Sequence, residues 1–176
     1  IYESCSDERV TMWCEWIQQA IYNQWLKDRE AEAIKKSLGN EFLGDVLELG
    51  SGTGYYSRYL YEQGCKNLVC VDFSGQMLEE LDDVECLKVR ADIQNYQSDK
   101  RFDLIFCAGA LEFLESPKVV FRNASHMLKP TGTLMILAPR LSFFGKIYQL
   151  FHRFHGVTIR IFKQDEILDW AKDSNL

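Results

Sequence analysis

The sequence has no excess of positive charge, and this absence argues against one class of partner. Its 20 Lys and Arg residues stand against 26 Asp and Glu residues, which gives a formal net charge of −6. A surface that follows the phosphate backbone of a nucleic acid needs the opposite balance. We therefore expect no nucleic-acid partner.

Long apolar runs are absent as well. Uncharged runs such as residues 134–138 are far shorter than the roughly 20 residues that cross a bilayer. The sequence therefore predicts neither a transmembrane span nor a signal peptide. With 176 residues, of which 47% are hydrophobic, the chain has enough apolar surface for one core. We expect a single domain over residues 1–176.

Paired cysteines are also missing, because none of the six cysteines belongs to a CxxC pair. Several lie inside apolar runs, where a reduced thiol behaves as a small hydrophobic side chain. This pattern favours a reducing compartment, and we expect a cytoplasmic protein. The spacing of His152 and His155 would fit half a metal site, but no cluster of ligands completes it, so we predict no metal.

Short apolar runs alternate with helical segments from residue 45 onward. This alternation predicts a doubly wound, mostly parallel α/β sheet with helices on both faces. The predicted strands are 46–49, 68–71, 84–89, 104–107 and 134–138. The predicted helices of this region are 55–63, 75–81, 118–128 and 164–173.

Two flanking regions differ from this core. Residues 1–40 carry helical patterns over 13–26 and 29–38 and predict an N-terminal helical cap. Residues 140–163, the basic aromatic segment, hold five Lys and Arg residues, two His, six aromatic residues and no carboxylate. We expect a lid helix over 142–155 whose apolar face includes Phe144, Ile147, Tyr148, Phe151 and Phe154. The alternative is that both flanks simply pack on the core 45–139, before a C-terminal part begins at 164.

Residues 46–54 read VLELGSGTG, a strand that runs into three alternating glycines. Glycine allows a sharp turn and lets a ligand lie against bare backbone. A dinucleotide site needs the spacing G-x-G-x-x-G, whereas the spacing here is G-x-G-x-G and Tyr55 follows the last glycine. Because Glu48 places a carboxylate close to where a phosphate would lie, a cationic ligand fits this crevice better.

The segment ELGSGTG resembles the first motif of the class I S-adenosylmethionine-dependent methyltransferases, in particular the small-molecule group that includes the ubiquinone and menaquinone biosynthesis enzymes. The resemblance implies a Rossmann-like fold and S-adenosylmethionine as cofactor. It also implies that Glu48 and the loop residues Gly50, Ser51, Gly52 and Gly54 lie beside the methionine part, whose ammonium and sulfonium groups are positive.

Two further segments extend the resemblance. Asp72 stands 18 residues beyond Gly54, where the family uses a carboxylate to accept the ribose hydroxyls, although a plain strand-to-helix turn is the alternative. Ser74 is suited to cap the next helix. Asp92 resembles the acceptor of the adenine amino group, although a solvated turn Asp is the alternative. The resemblance also places Phe73, Met77, Ile93 and Cys107 in the cofactor site.

The loop 108–113 resembles the family's loop near the sulfonium and the acceptor. Related enzymes often carry a His where this chain has Phe113, so no catalytic base is assigned there. The candidate bases are His152, His155 and Tyr22, and Tyr22, Trp25 and Arg29 resemble residues that reach the methionine end. Methyl transfer depends chiefly on orientation, so a missing triad is no objection.

The sequence therefore predicts a methyltransferase that acts on a small molecule. The apolar face and basic residues of the 140–163 segment suggest an amphiphilic or anionic acceptor, delivered from a membrane surface. A nicotinamide-dependent oxidoreductase and a non-catalytic cofactor-binding domain of a larger synthase are the alternatives. The last two strands of the family, an antiparallel hairpin, are not found in this sequence, so the fifth strand would form an uncovered edge.

Overall fold

The computed structural model describes residues 32, 34–36, 44–154 and 156–176. The chain divides into two compact units, Ile1–Phe42 and Leu43–Leu176. In the first unit, residues 32 and 34–36 are helical, in agreement with the helix predicted over 29–38. The helix predicted over 13–26 lies outside the described residues.

The second unit contains a five-stranded sheet in which every pair of neighbours is parallel, in the order β3-β2-β1-β4-β5. The strands are β1 (Asp45–Leu49), β2 (Asn67–Asp72), β3 (Leu87–Arg90), β4 (Phe102–Ala108) and β5 (Leu128–Leu137). The helices are α1 (Tyr55–Glu62), α2 (Gly75–Glu79), α3 (Lys118–Met127), α4 (Phe143–Phe154) and α5 (Gln164–Asp173). The predicted doubly wound parallel sheet is confirmed.

Two strands begin at least three residues away from their predicted starts. Strand β3 begins at Leu87 rather than at 84, because the chain after α2 is still in turns there. Strand β5 begins at Leu128, six residues earlier than predicted, since Pro130 and Gly132 broke the apolar pattern. Lys129 bonds both Asp45 and Asp103 at the amino ends of β1 and β4, which attaches the start of β5 to the sheet.

The two faces of the sheet pack against different helices. On one face, Leu47, Leu49 and Ile105 join a buried cluster with residues of α3, and Trp170 of α5 packs against it. On the other face, the Tyr56 ring of α1 lies 5.2 Å from the ring of Phe106. Burial on both sides explains why the strands are almost continuously apolar.

The strand order reverses between β1 and β4. The chain proceeds from β1 outward to β2 and β3, and then returns to pair β4 with the other side of β1. In an open sheet of this type, such a switch point opens a crevice beyond the carboxyl ends of the strands. The loops that follow β1, β2 and β4 therefore surround one candidate site.

The basic aromatic segment contains the predicted helix, as α4, but its apolar residues do not all point inward. An outer apolar row, formed by Phe143, Ile147, Leu150 and Phe154, is 50–80% exposed. Ile147 and Phe154, which we predicted on the apolar face of this helix, are therefore exposed. His152 is buried on the inner side. Among the helices in the described part of the chain, none is both long and apolar enough to span a membrane.

Candidate active site

The loop after β1 is shaped by its glycines, which all have positive φ angles of 53–85°. The backbone N–H groups of Gly50 and Ser51 both donate to the carbonyl oxygen of Val71, at 2.8 and 3.2 Å, which holds the turn against β2. A Cβ on Gly50 would lie 2.3 Å from the Cβ of Ala110. The loop after β4 therefore approaches this turn so closely that only glycine fits.

Gly52 lies at the open part of the same loop. A Cβ built there would meet no atom within 4 Å, although its φ of +53° is unfavourable for other residues. The neighbouring Ser51 hydroxyl is buried and has no hydrogen-bond partner. An open backbone beside a buried polar atom without a partner is the arrangement expected of a ligand cradle, because such an atom is costly unless a ligand or water satisfies it.

Glu48, at the end of β1, is buried and bonded to neighbouring side chains. Its side chain is 2% exposed, and it accepts hydrogen bonds from the Ser57 hydroxyl at 2.5 Å and, weakly, from the Cys70 thiol at 3.8 Å. Burial raises the pKa of Glu48 to about 8, so the carboxyl is mostly protonated at neutral pH. Glu48 connects β1 to α1, and its place beside the methionine part of a cofactor stays a prediction.

Asp72 is the carboxylate that does reach the glycine loop. It accepts from the N–H of Gly52 at 2.8 Å and from the N–H of Ser74 at 2.8 Å. Burial is the largest influence on the pKa of Asp72 and raises it, while these backbone donors act in the opposite direction. Asp72 therefore fixes the loop geometry and keeps further lone pairs for a ligand, since each carboxylate oxygen can accept more than one hydrogen bond.

The turn after Asp72 presents an aromatic ring at the surface. Phe73 is 47% exposed, whereas Met77 is almost fully buried. The Ser74 hydroxyl accepts from the N–H of Met77 at 3.3 Å, which confirms the predicted helix cap. The ring of Phe73 is therefore partly exposed next to Asp72, whereas Met77 packs in the interior.

Asp92 and Ile93 follow β3. The Asp92 carboxylate accepts from the N–H of Gln94 at 2.9 Å and from the Asn95 side chain at 3.2 Å, as expected of a turn aspartate. Ile93 is buried in the cluster between the sheet and α3. A role for these two residues at an adenine ring stays a prediction.

Cys107, near the end of β4, is fully buried in the core, and burial raises the pKa of its thiol.

The loop after β4 includes Glu112, a residue that the sequence analysis did not assign to the site. Glu112 lies in the 3-10 turn Leu111–Phe113 and is 2% exposed, and its Oε2 atom has no hydrogen-bond partner. Burial raises the pKa of Glu112 to about 7. The sequence signal that could have identified Glu112 is a single glutamate inside the otherwise apolar run ALEFL.

The candidate bases lie in different parts of the chain. Tyr22 and His155, like Trp25 and Arg29, lie outside the described residues. His152 is buried, and its ring lies 4.5 Å from the ring of Tyr148 and 6.1 Å from that of Phe113. The structure thus brings His152 to the turn that carries Glu112. Over the described ranges, no three His, Cys, Asp or Glu side chains form a group that could hold a metal ion.

One protein family matches the region that contains this site. A family model described as a methyltransferase domain matches residues 47–136, just over half of the chain. The match begins in β1 and ends in β5, so it includes the glycine loop, Asp72 and Glu112.

Curated relatives have methyltransferase names. A malonyl-[acyl-carrier protein] O-methyltransferase 2 of Ilyobacter polytropus is 30% identical over 135 residues, covering 73% of this chain and 49% of the relative. A trans-aconitate 2-methyltransferase of Escherichia coli is 28% identical over 125 residues, covering 68% of this chain and 50% of the relative. The chain thus spans about half the length of these relatives.

Solved structures share the fold. An S-adenosylmethionine-dependent methyltransferase of Thermotoga maritima, described as a possible histamine N-methyltransferase, superposes with a TM-score of 0.75 at 23% identity. That match covers 94% of this chain and 76% of the other. The N-methyltransferase NodS of Bradyrhizobium japonicum, solved with S-adenosyl-L-homocysteine, has a TM-score of 0.69 at 20% identity and covers 90% and 78% of the two chains.

Proposed function

The chain belongs to the methyltransferase domain family, and we propose that it transfers the methyl group of S-adenosylmethionine to a small-molecule acceptor. The observation that carries this proposal is the cradle after β1, where the open backbone at Gly52 and the buried hydroxyl of Ser51 adjoin the carboxylate of Asp72. These groups fit a cationic nucleoside better than a pyrophosphate, because a carboxylate next to a phosphate is unfavourable.

Each part of the cradle has a distinct task in binding. The Ser51 hydroxyl and the backbone at Gly52 would meet the methionine part, and Asp72 would accept hydrogen bonds from the ribose hydroxyls. Phe73 would cover one side of the adenine, as its exposed ring permits. S-adenosylmethionine supplies an activated methyl group, so the protein chiefly orients the acceptor, a contribution worth up to roughly 7–11 kcal/mol.

The acceptor side of the site is proposed from α4. The helix carries an exposed outer apolar row together with Lys146 and Arg153, and the basic aromatic segment contains no carboxylate. Such a helix favours amphiphilic or anionic molecules and contact with an anionic membrane surface. The relatives named above act on malonyl-[acyl-carrier protein] and trans-aconitate, which supports a small carboxylated or carrier-bound molecule as a second acceptor class.

The compartment is proposed from the thiols. Cys65, Cys70, Cys86 and Cys107, the cysteines in the described part of the chain, are all free. Free buried thiols support the reducing compartment expected from the sequence, and we place the protein in the cytoplasm.

Calorimetric titration tests the cofactor assignment. S-adenosylmethionine and S-adenosylhomocysteine should each bind with one site per chain, whereas NAD should give no heat above dilution. Binding of NAD alone would establish the nicotinamide-dependent alternative. The variant Asp72→Asn, with the exposed Asp82→Asn as control, should weaken cofactor binding because the neutral amide accepts fewer hydrogen bonds.

Methyl incorporation separates an enzyme from a binding module. A radiolabelled methyl group should pass from S-adenosylmethionine to at least one member of a panel of hydroxyl, amine and carboxylate acceptors, each tested with a short and a long alkyl chain. Cofactor binding without transfer to any acceptor would favour the non-catalytic module. Preference for the long-chain members would support the proposed amphiphilic acceptor.

A further inference from the structure

Two buried glutamates lie near the carboxyl ends of the strands, and they differ in how their carboxyl oxygens are satisfied. Glu48 accepts hydrogen bonds from the side chains of Ser57 and Cys70. Glu112 is equally buried, at 2% exposure, and its carboxyl is close to its own backbone N–H, yet its Oε2 atom has no hydrogen-bond partner. Burying a carboxyl oxygen without a partner is unfavourable, so packing alone gives no reason for an acid at this position.

The turn that carries Glu112 adjoins the proposed cofactor cradle. Ala110 lies directly against Gly50, so closely that a Cβ on the glycine would be 2.3 Å away. Glu112 follows two residues later, and the 3-10 turn is closed by a hydrogen bond from the N–H of Phe113 to the carbonyl of Ala110 at 3.2 Å. Glu112 therefore belongs to a short turn at the carboxyl ends of the strands, where methyl transfer is proposed.

The basic aromatic segment lies against the same turn. The N–H of Arg160 donates to the carbonyl of Glu112 at 2.9 Å, and the ring of His152 packs on that of Phe113. Among the described residues, the titratable groups with a stated contact or interaction at this turn include Cys107 on β4, His152 on α4 and Arg160, whose guanidinium is paired with Glu166. Glu112 is thus enclosed between the turn and the segment assigned to the acceptor.

From this geometry we propose that Glu112 is the general base of the methyl-transfer site, and that its carboxylate takes a proton from a hydroxyl or protonated-nitrogen acceptor. This inference rests on the proposed function. It goes beyond it because it assigns the base that the sequence lacked at Phe113 and names the chemical class of the acceptor.

The step balances without any further reactant. A protonated nitrogen first gives up its proton, whereas a hydroxyl loses its proton as the bond forms; the acceptor's lone pair then forms a bond to the methyl carbon, the carbon–sulfur bond breaks, and its electron pair stays on sulfur to give neutral S-adenosylhomocysteine. The acceptor proton passes to Oε2 of Glu112, and the neutral carboxyl later releases it to water. Because burial raises the pKa of Glu112 to about 7, the group can accept and release a proton near neutral pH.

The first test needs no acceptor. A sulfonium beside Glu112 should lower the pKa of its carboxyl, so S-adenosylmethionine binding at pH 7 should release up to about half a proton more than binding of the neutral S-adenosylhomocysteine. Calorimetry in two buffers of different ionisation enthalpy measures this difference. Glu112→Gln should abolish it, and Glu115→Gln, an exposed carboxyl three residues away, should retain it.

The outcomes separate the two proposals. Equal proton release for both ligands in the wild-type protein would overturn the placement of Glu112 while leaving the methyltransferase proposal intact. No binding of either ligand would overturn both. Thermal unfolding of each variant monitors the fold, and Glu112→Asp, which keeps the charge but shortens the side chain, should retain part of the difference.

The second test uses whichever acceptor the panel yields. Glu112→Gln should lower kcat by roughly 10²–10⁴-fold and, because the carboxylate is coupled to the sulfonium, should raise the Kd for S-adenosylmethionine no more than about tenfold. The wild-type kcat should rise with pH through about 7, and the variant should lose this rise. An unchanged kcat and pH profile, or turnover of carboxylate acceptors only, which need no base at neutral pH, would refute the proposal.

Discussion

Strand β1 and the loops that follow β1 and β4 use buried polar groups in opposite ways. On the α1 side of β1, Glu48 and Ser57 satisfy each other, and this pair joins a strand to a helix. In the loops, Ser51 and Glu112 are also buried but keep polar atoms without partners. The comparison indicates that the Glu48–Ser57 pair stabilises the fold, whereas the hydroxyl of Ser51 and Oε2 of Glu112 are suited to interact with a ligand.

The largest expected effect concerns the pH dependence of stability. The pKa of Glu48 is raised from 4.5 to about 8 in the folded protein. Between these values the unfolded chain has lost the proton that the folded chain keeps, so folding stability should fall as pH rises from 4.5 to 8, by up to about 5 kcal/mol in total. Glu112 acts in the same direction up to about pH 7.

Urea unfolding at several pH values measures this dependence. Glu48→Gln should remove the larger part of the fall, because the amide oxygen can still accept from Ser57 without titrating. Glu112→Gln should remove the smaller part. Equal pH profiles for wild type and Glu48→Gln would show that Glu48 is ionised in the folded state.

The next prediction tests the comparison between Ser57, the donor to Glu48, and Ser51 in the glycine loop. Ser57→Ala removes the donor to Glu48 and leaves a buried carboxyl with only the weak Cys70 contact. We expect a loss of about 1–3 kcal/mol of unfolding free energy and a higher pKa for Glu48. Chemical denaturation measures the loss. A Ser57→Ala protein as stable as wild type would mean that the pair is not structural.

Ser51→Ala should behave in the opposite way. The hydroxyl has no partner to lose, so stability should stay the same or rise by about 1 kcal/mol. The affinity for S-adenosylhomocysteine should fall roughly threefold to tenfold, because one ligand hydrogen bond contributes about 1 kcal/mol. Calorimetry measures the affinity, and Ser125→Ala, on α3 far from the glycine loop, is the control. Unchanged affinity would remove Ser51 from the proposed cradle.

The contrast between the satisfied and the unsatisfied polar groups also shows how far the sequence could predict the site. The glycine spacing, the Ser74 cap and the parallel sheet depend on local patterns and were predicted. The hydrogen bond between Glu48 and α1 was not predicted. Both faces of a central parallel strand are apolar, so the sequence pattern does not show against which helix an acidic side chain lies. The burial of Glu112 was not predicted either, because the residues that contact its turn, Arg160 and His152, are distant in sequence.

The smallest expected effect concerns α4, whose predicted apolar face includes the exposed residues Ile147 and Phe154. Reversing the charge of both Lys146 and Arg153 should lower binding to phosphatidylglycerol vesicles and raise KM for an amphiphilic acceptor severalfold, because each basic residue near an anionic surface contributes about 1 kcal/mol. The cofactor Kd should not change, since neither residue belongs to the glycine loop. Vesicle sedimentation against phosphatidylcholine controls, together with steady-state kinetics, measures both quantities. If Phe143→Ser and Phe154→Ser lower vesicle binding while the charge reversal does not, the outer apolar row alone carries the contact and the acceptor need not be anionic.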